Sequence, residues 1–367
     1  MPRILVNLLS YTGTKGGMET YTRELYKELG KLSGDFTYIG YASKELMNID
    51  HSWFPGEVVA SGITGENRFI WAMGELFAVA RYARSINASL VHSPATLGPR
   101  KTAMPSVLTI HDMFYHKHPD LMNTSRYTRP VQWMEEMASR NASRILATSE
   151  SLADDIHDHL GFARARIDVV PLAGTRGLSK AVSSASRLPG LLLTSGVRRK
   201  HKNFEGLLAA MALIPEDQRP QLVITGSHGD DPLIPIVESL GIGGCVTLKS
   251  WISQEELDRL FAEATAFIMP SFVDGFALPP LEAMSVGCPV ILSGNEMMRE
   301  IGGDVAQYFN AHDPQSIAET ILATIGDQAL LASMSEEGVK RSQTFTWKKV
   351  AIGTRKTFEL ALSEEGV

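Results

Sequence analysis

Along most of its length this chain alternates short β-rich runs with longer segments of helical period, and that alternation leaves few folds open. Ile4–Leu9, Phe36–Tyr41, Ser106–His111, Arg144–Thr148 and Ile167–Val170 read as strands in the first half. Leu191–Ser195, Gln221–Thr225, Ala266–Pro270, Val290–Ser293 and Ala306–Phe309 repeat the pattern in the second. Between them lie helical faces, such as Leu25, Leu29 and Leu32, or Leu257, Leu260 and Phe261. Strands separated by helices in this way predict parallel sheets covered by helices on both sides. With 367 residues there is material for two such domains, each large enough for its own core. The expected fold class is therefore α/β, with two doubly wound, Rossmann-like domains. The divide falls at 173–189, which is rich in Gly, Ser and Ala and carries no apolar period. It reads as a linker between domains 1–172 and 190–349. A last amphipathic segment, 350–367, is expected to pack back on the first domain. Ligands of such sheets bind at the carboxyl ends of their strands, so the expected site is a cleft lined by those ends.

Composition narrows the function. A balance of 35 basic against 41 acidic residues, net −6, argues against nucleic-acid binding by bulk electrostatics. Cys245 and Cys288 are too few for a disulfide framework and fit a reducing compartment. The N-terminal apolar run is too short for a signal-peptide core and suits a buried strand, and no stretch is long enough to span a bilayer. The expected location is cytoplasmic, with the inner face of the membrane as a working surface.

Four segments carry candidate chemistry. In Pro270-Ser-Phe-Val-Asp-Gly-Phe-Ala-Leu-Pro-Pro-Leu-Glu282, a strand ends, a loop carries Asp274 and Gly275, and prolines open a helix whose first turn is expected to hold Glu282. The amides of Gly275, Phe276 and Ala277 are placed to meet an anion or sugar hydroxyls. Taken singly, Glu282 complements a helix dipole and Asp274 makes a turn. The paired glycines Gly16 and Gly17 follow the first strand and precede the first helix, where backbone approaches a ligand closely and phosphate is favoured; most such pairs are only turns. They do not form the fingerprint of dinucleotide enzymes. The run Ser195-Gly-Val-Arg-Arg-Lys-His-Lys-Asn203 puts cations at a strand end, although charge runs are often solvated faces. In Thr109-Ile-His-Asp112 a histidine ends a strand, and the spacing of His111, His116 and His118 matches no compact zinc pattern.

Together these segments resemble the retaining glycosyltransferases of family 4. The likeness rests on the acidic pair Asp274 and Glu282, the following Glu-Ala-Met, the Gly and the Pro-Val-Ile strand, and extends to Gly302–Tyr308 and Phe345–Trp347. It implies the GT-B fold, a sugar nucleotide donor, retention of configuration and no obligatory metal or other cofactor. The resemblance gives Asp274 the transferred sugar and Glu282 the ribose. Lys202 takes the leaving phosphate, assisted by Arg198 or Arg199. Gly275, Phe276, Ala277 and Leu278 line the donor, Gly16 and Gly17 fall to the diphosphate or the acceptor side, and His111 touches the donor sugar. One departure stands out. The family has Glu where this chain has Asp274, shorter by one bond of about 1.5 Å, which bears on donor specificity.

The motifs look most like the mannosyltransferases of bacterial surface-polysaccharide assembly, so the likeness points to GDP-mannose as donor and a glycan or lipid-linked acceptor. A catalytically silent sugar-nucleotide binder of the same fold is the alternative, with a nicotinamide-dependent oxidoreductase behind it. Arg68–Arg84 reads as a core-facing apolar helix. A second reading turns some of Phe69, Ile70, Trp71 and Phe77 toward a lipid-linked acceptor or a bilayer.

Overall fold

The computed structural model describes residues 1–14, 16–34, 36–121, 125–174 and 187–364. Lys15 of the glycine segment and positions 175–186 of the expected linker lie outside the described residues. The chain divides into two units, Met1–Leu172 with Thr346–Val367, and Ala173–Phe345.

In the first unit the described strands are β1 (Arg3–Leu8), β2 (Thr37–Ala42), β3 (Glu57–Ala60), β4 (Leu90–Ser93), β5 (Ser106–Ile110), β6 (Arg144–Ala147) and β7 (Ile167–Val169). They form one parallel sheet in the order β3-β2-β1-β4-β5-β6-β7. Order reverses beside β1, the switch point of a doubly wound sheet. The helix Gly17–Leu29 follows β1 and buries Tyr21, Leu25, Tyr26 and Leu29 against the sheet. The C-terminal helix Trp347–Glu364 belongs to this unit, burying Val350, Ala351, Phe358 and Ala361. Phe358 meets Phe36 edge-on at 6.3 Å and His92 at 5.0 Å, while Glu364 accepts from Arg144.

The second unit contains β8 (Leu188–Ser195), β9 (Gln221–Ser227), β10 (Val246–Ser250), β11 (Ala264–Met269), β12 (Val290–Ser293) and β13 (Gln307–Phe309). These too are parallel, in the order β10-β9-β8-β11-β12-β13. Successive side chains point to opposite faces of a strand. Leu192, Ala266 and Ile268 therefore face the helices Phe204–Leu213 and Pro314–Gly326. Leu193, Phe267 and Met269 face the helices Gln254–Glu263 and Leu278–Ser285. Strands buried on both faces read as continuous apolar runs, which is what the sequence shows. The expected α/β architecture of two doubly wound domains is the one found.

Three strands escaped the sequence pattern. β3 and β10 are edge strands with polar positions, and β4 reads Leu-Val-His-Ser, too short and polar to stand out. β8 starts at Leu188, earlier than its apolar run suggests, because Leu188 pairs with Ala264 and its carbonyl accepts from the Thr265 hydroxyl. Glu282 is the fifth residue of Leu278–Ser285, just beyond the first turn where it was expected, because the helix begins at Leu278, ahead of the two prolines. The apolar segment after Asn67 is a continuous helix in three stretches, Arg68–Met73, a π-helical turn Gly74–Ala78, and Val79–Ser85. Its inner face, with Ala72, Leu76, Val79 and Ala83, is buried.

Candidate functional site

Because the strands of each unit are parallel, their carboxyl ends gather at one edge, and the loops leaving that edge carry the candidate residues. In the second unit, β8 ends at Ser195 and Gly196 follows with φ +151°. Gly226, near the end of β9, has φ +97°, and a Cβ there would come within 2.8 Å of the Gly196 carbonyl oxygen. Glycine is required at Gly226 on both counts. The two loops thus touch backbone to backbone.

Lys202 and Asp274 meet at this edge. The Lys202 ammonium donates to Asp274 Oδ1 at 2.6 Å, and both side chains are largely buried. Asn203 supports the contact from a left-handed conformation, φ +53°, its amide donating to the carbonyls of Pro270 at 3.0 Å and Ala311 at 2.8 Å. The Phe272 amide donates to the His201 carbonyl at 2.9 Å, and Asn295 reaches the carbonyls of Ser271 and Phe272. Phe272 stacks on His312 at 4.6 Å. The acidic loop is therefore held on three sides. Burial pushes the His201 imidazole down to about 4, so beside Lys202 it stays neutral near pH 7.

Among the described residues, several polar atoms at the same edge have no protein partner. The hydroxyls of Ser227 and Ser271 and the second oxygen of Asp274 are buried and unsatisfied. Buried polar groups are ordinarily paired, so three such atoms at one strand edge make it a candidate place for a polar ligand. The helix Leu278–Ser285 opens there too, with Ala277 at its N-cap offering no side-chain cap. Glu282 is buried in its second turn.

Arg198 takes a different part from the one expected. Its guanidinium donates to Asp231 at 2.8 and 3.1 Å and to the carbonyls of Gly196, Thr225 and Ile224, and it lies over the Phe204 ring. With both side chains buried, this fork-to-carboxylate pair fastens the loop after β8 to the loop after β9. Arg199, by contrast, is exposed. Sequence reasoning also missed an aromatic pair: Trp251, directly after β10, stacks on His228, directly after β9, at 5.0 Å and 19°. Trp251 stays 63% exposed, so its outer face is open. An exposed tryptophan at a strand's carboxyl end was the signal available.

The first unit has its own edge. Gly16 is the N-cap of the helix Gly17–Leu29, with φ +68° and ψ −127°. A Cβ on Gly16 or Gly17 would touch nothing within 4 Å, so open space, not crowding, surrounds both. Glu19 in the first turn accepts from the amides of Thr12 at 2.5 Å and Gly13 at 3.0 Å, shaping the loop that precedes the glycines. β5, separated from β1 by β4, ends before His111. That imidazole donates from Nε2 to the Pro94 carbonyl at 2.8 Å and meets the Tyr21 ring edge-on at 4.8 Å. Burial pushes it down to about 4, leaving it neutral. Asp112 beside it accepts from the Phe114 amide. Among the described residues no group of His, Cys, Asp and Glu is arranged to hold a metal ion.

Comparison with known proteins agrees with this layout. The family described as Glycosyltransferase Family 4 matches residues 15–173, and that described as Glycosyl transferases group 1 matches residues 180–341. The O-antigen chain mannosyltransferase B of Escherichia coli is 27% identical over 287 residues, 74% of each chain. Among solved structures, the sucrose-phosphate synthase of Thermosynechococcus elongatus superposes with a TM-score of 0.78 at 20% identity, over 99% of this chain and 100% of that one. HepE of Anabaena, solved with UDP and glucose, gives 0.73 at 15% identity over 98% and 99%. With residues 15–173 and 180–341 each matched by a glycosyltransferase family, and two doubly wound sheets of the GT-B kind, the chain belongs to the family 4 glycosyltransferases.

Proposed function

We propose that this protein moves mannose from GDP-mannose to a lipid-linked glycan acceptor, with retention of configuration, at the cytoplasmic face of a membrane. The observation that carries the donor half is the edge of the second unit. There a buried lysine, a carboxylate with one unsatisfied oxygen, two unsatisfied serine hydroxyls and an uncapped helix start converge. A diphosphate answers the lysine and the helix amides, and sugar hydroxyls answer the carboxylate. The open face of Trp251, backed by His228, suits a nucleobase, since stacking gains from the broad ring system of a purine. Mannose is favoured by the O-antigen mannosyltransferase relative.

In the proposed reaction the bond between the sugar's anomeric carbon and the phosphate oxygen breaks as the acceptor oxygen bonds to the same carbon on the same face. The acceptor's proton passes to the departing phosphate oxygen. Lys202 opposes the negative charge gathering there, the interaction that gains most in the transition state. Glu282 holds the ribose and Arg199 assists at the phosphates. Gly16 and Gly17 serve the diphosphate or the acceptor, and His111 meets the donor sugar, where a neutral imidazole pinned by Pro94 offers a fixed surface rather than a charge. No metal enters this scheme.

The second reading, a silent binder, is favoured by one observation: Asp274 stands where the family has Glu and spends one oxygen on Lys202. Calorimetric titration with GDP-mannose and UDP-glucose, followed by product analysis with a glycan acceptor, separates the readings. Mannose on the acceptor with the α-configuration of the donor supports the proposal. Donor binding without product supports the silent reading, and absence of binding by any sugar nucleotide defeats both.

A further inference from the structure

Tyr21 is a buried aromatic residue, 2% exposed, that the proposed reaction does not use. It is the fifth residue of the helix Gly17–Leu29, one turn past the glycine pair. Its ring meets the His111 imidazole edge-to-face, with centroids 4.8 Å apart and 79° between the planes. Its hydroxyl lies 3.3 Å from that of Thr109, two positions before His111. Side chains two apart along an extended chain share a side, so one tyrosine reaches both. Thr109 is held in turn by His92, whose Nε2 lies 3.0 Å from the same hydroxyl. The Tyr21 ring also lies 6.3 Å from that of Trp347, the first residue of the C-terminal helix. Tyr21 and Thr109 are shut away from solvent, whereas His111 keeps 8% of its surface. Of these three, the imidazole is the group left able to meet a ligand.

An imidazole turning about its Cβ–Cγ bond has two things to settle, the plane of the ring and which nitrogen points where. The Tyr21 ring settles the first, because turning out of a packed edge-to-face pair drives ring atoms into the neighbour. The Pro94 carbonyl settles the second. It can only accept, so Nε2 carries the proton, and the bond at 2.8 Å is lost if the ring flips. Nδ1 is then the lone-pair nitrogen, and among the described residues it has no hydrogen-bond partner. With the ring neutral near pH 7, Nδ1 can accept from a hydroxyl without bringing a charge. We propose that Tyr21 is the positioning residue for His111, holding the imidazole plane so that Nδ1 is presented as an acceptor to a hydroxyl of the donor sugar. The inference rests on the sugar contact given to His111 in the proposed function and names the residue that fixes it. Such fixing matters because a small misplacement of a substrate-positioning group costs rate. The helix that carries Tyr21 is the one opened by Gly16 and Gly17, so the same ring keeps the glycine pair and the imidazole in register.

Imidazole nitrogen NMR spectra of the full chain give the first readout, with the His111 signals assigned by their loss in His111→Ala. The wild-type protein and Tyr21→Phe, which keeps the ring, are expected to show one fixed tautomer with the proton on Nε2. Tyr21→Leu is expected to give averaged nitrogen shifts with circular dichroism unchanged. Transfer from GDP-mannose to a glycan acceptor gives the second readout. Tyr21→Leu should lower kcat about tenfold or more while Tyr21→Phe stays near wild type, and calorimetric GDP affinity should be unchanged in both. Added to His111→Ala, Tyr21→Leu should cost little more, since a residue that acts through another loses its effect when that other is gone. Trp347→Leu, at a half-buried position, removes one neighbour of the Tyr21 ring and carries the same test if Tyr21→Leu does not fold. His111 signals indifferent to Tyr21→Leu, or to Trp347→Leu where the first does not fold, overturn the proposal. Full additivity of the His111 and Tyr21 substitutions on transfer overturns it too. The spectra need no turnover, so a chain that transfers no sugar defeats the proposed function while the spectra still decide the positioning.

Discussion

Lys202 and Asp274 show why a residue's identity is only half of its role. The charge run 198–202 offers several cations, yet in the fold Arg198 is consumed by Asp231 and three carbonyls, whereas Lys202 faces the acidic loop. A diphosphate that takes Lys202 must replace the bond to Asp274. Asp274→Asn removes the competing charge and leaves a buried cation short of a counter-ion. It is expected to bind GDP about tenfold more tightly while transfer falls about a hundredfold or more. Calorimetry with GDP and turnover with the sugar donor measure the two, and parallel losses would contradict the exchange. His92 makes a second point at this scale. It is fully buried between the hydroxyls of Tyr26 at 2.5 Å and Thr109 at 3.0 Å, and burial together with nearby His111 pushes it down to about 3. A histidine whose folded pKa is depressed carries fewer protons folded than unfolded. Its stabilisation is therefore whole above the unfolded value of about 6.5 and is lost as pH falls toward 3. By pH 5 the loss from His92 is about 2 kcal/mol. The urea midpoint of the first unit should drop between pH 7 and pH 5, and His92→Gln should flatten that drop.

At the scale of elements, the loop from β1 into the helix Gly17–Leu29 is set by backbone conformation and one carboxylate. Gly16 has φ +68° with ψ −127°, a region side-chain-bearing residues avoid, yet nothing crowds its Cβ position. Gly16→Ala should therefore cost about 1–3 kcal/mol from backbone strain alone. Gly17→Ala, inside the helix with φ not positive, should be near neutral or mildly stabilising. Urea unfolding of the two variants side by side checks this, and equal effects would contradict it. That contrast was not legible in a Gly-Gly pair, because either glycine could have taken the turn. Strands flanked by helices were legible because burial on both faces writes unbroken apolar runs. Edge strands β3 and β10 lack that imprint, and β4 hides a histidine whose partners come from other elements. The helix over 68–85 was legible as apolar, but which of its residues turn outward is set by the π-helical turn.

At the scale of the whole molecule, the first unit is closed by residues from the far end of the chain. Phe358 is fully buried against Phe36 and His92, and Arg144 is tied to both Asp168 and Glu364. Phe358→Ala should destabilise the first unit by about 3–5 kcal/mol, with hydrogen exchange rising across β4 to β6 and little change in the second unit. Uniform change over the whole chain would contradict the division into two units. The sequence by itself determined the alternation of strand and helix, the two sheets' worth of apolar runs, and the family, since each depends on residue types at local spacing. Only the tertiary structure decided which cation meets Asp274, that Arg198 is a fastening, that Trp251 and His228 stack, and which helix face stays bare. Those outcomes depend on strands distant in sequence ending at a common edge, and local pattern carries no record of such neighbours.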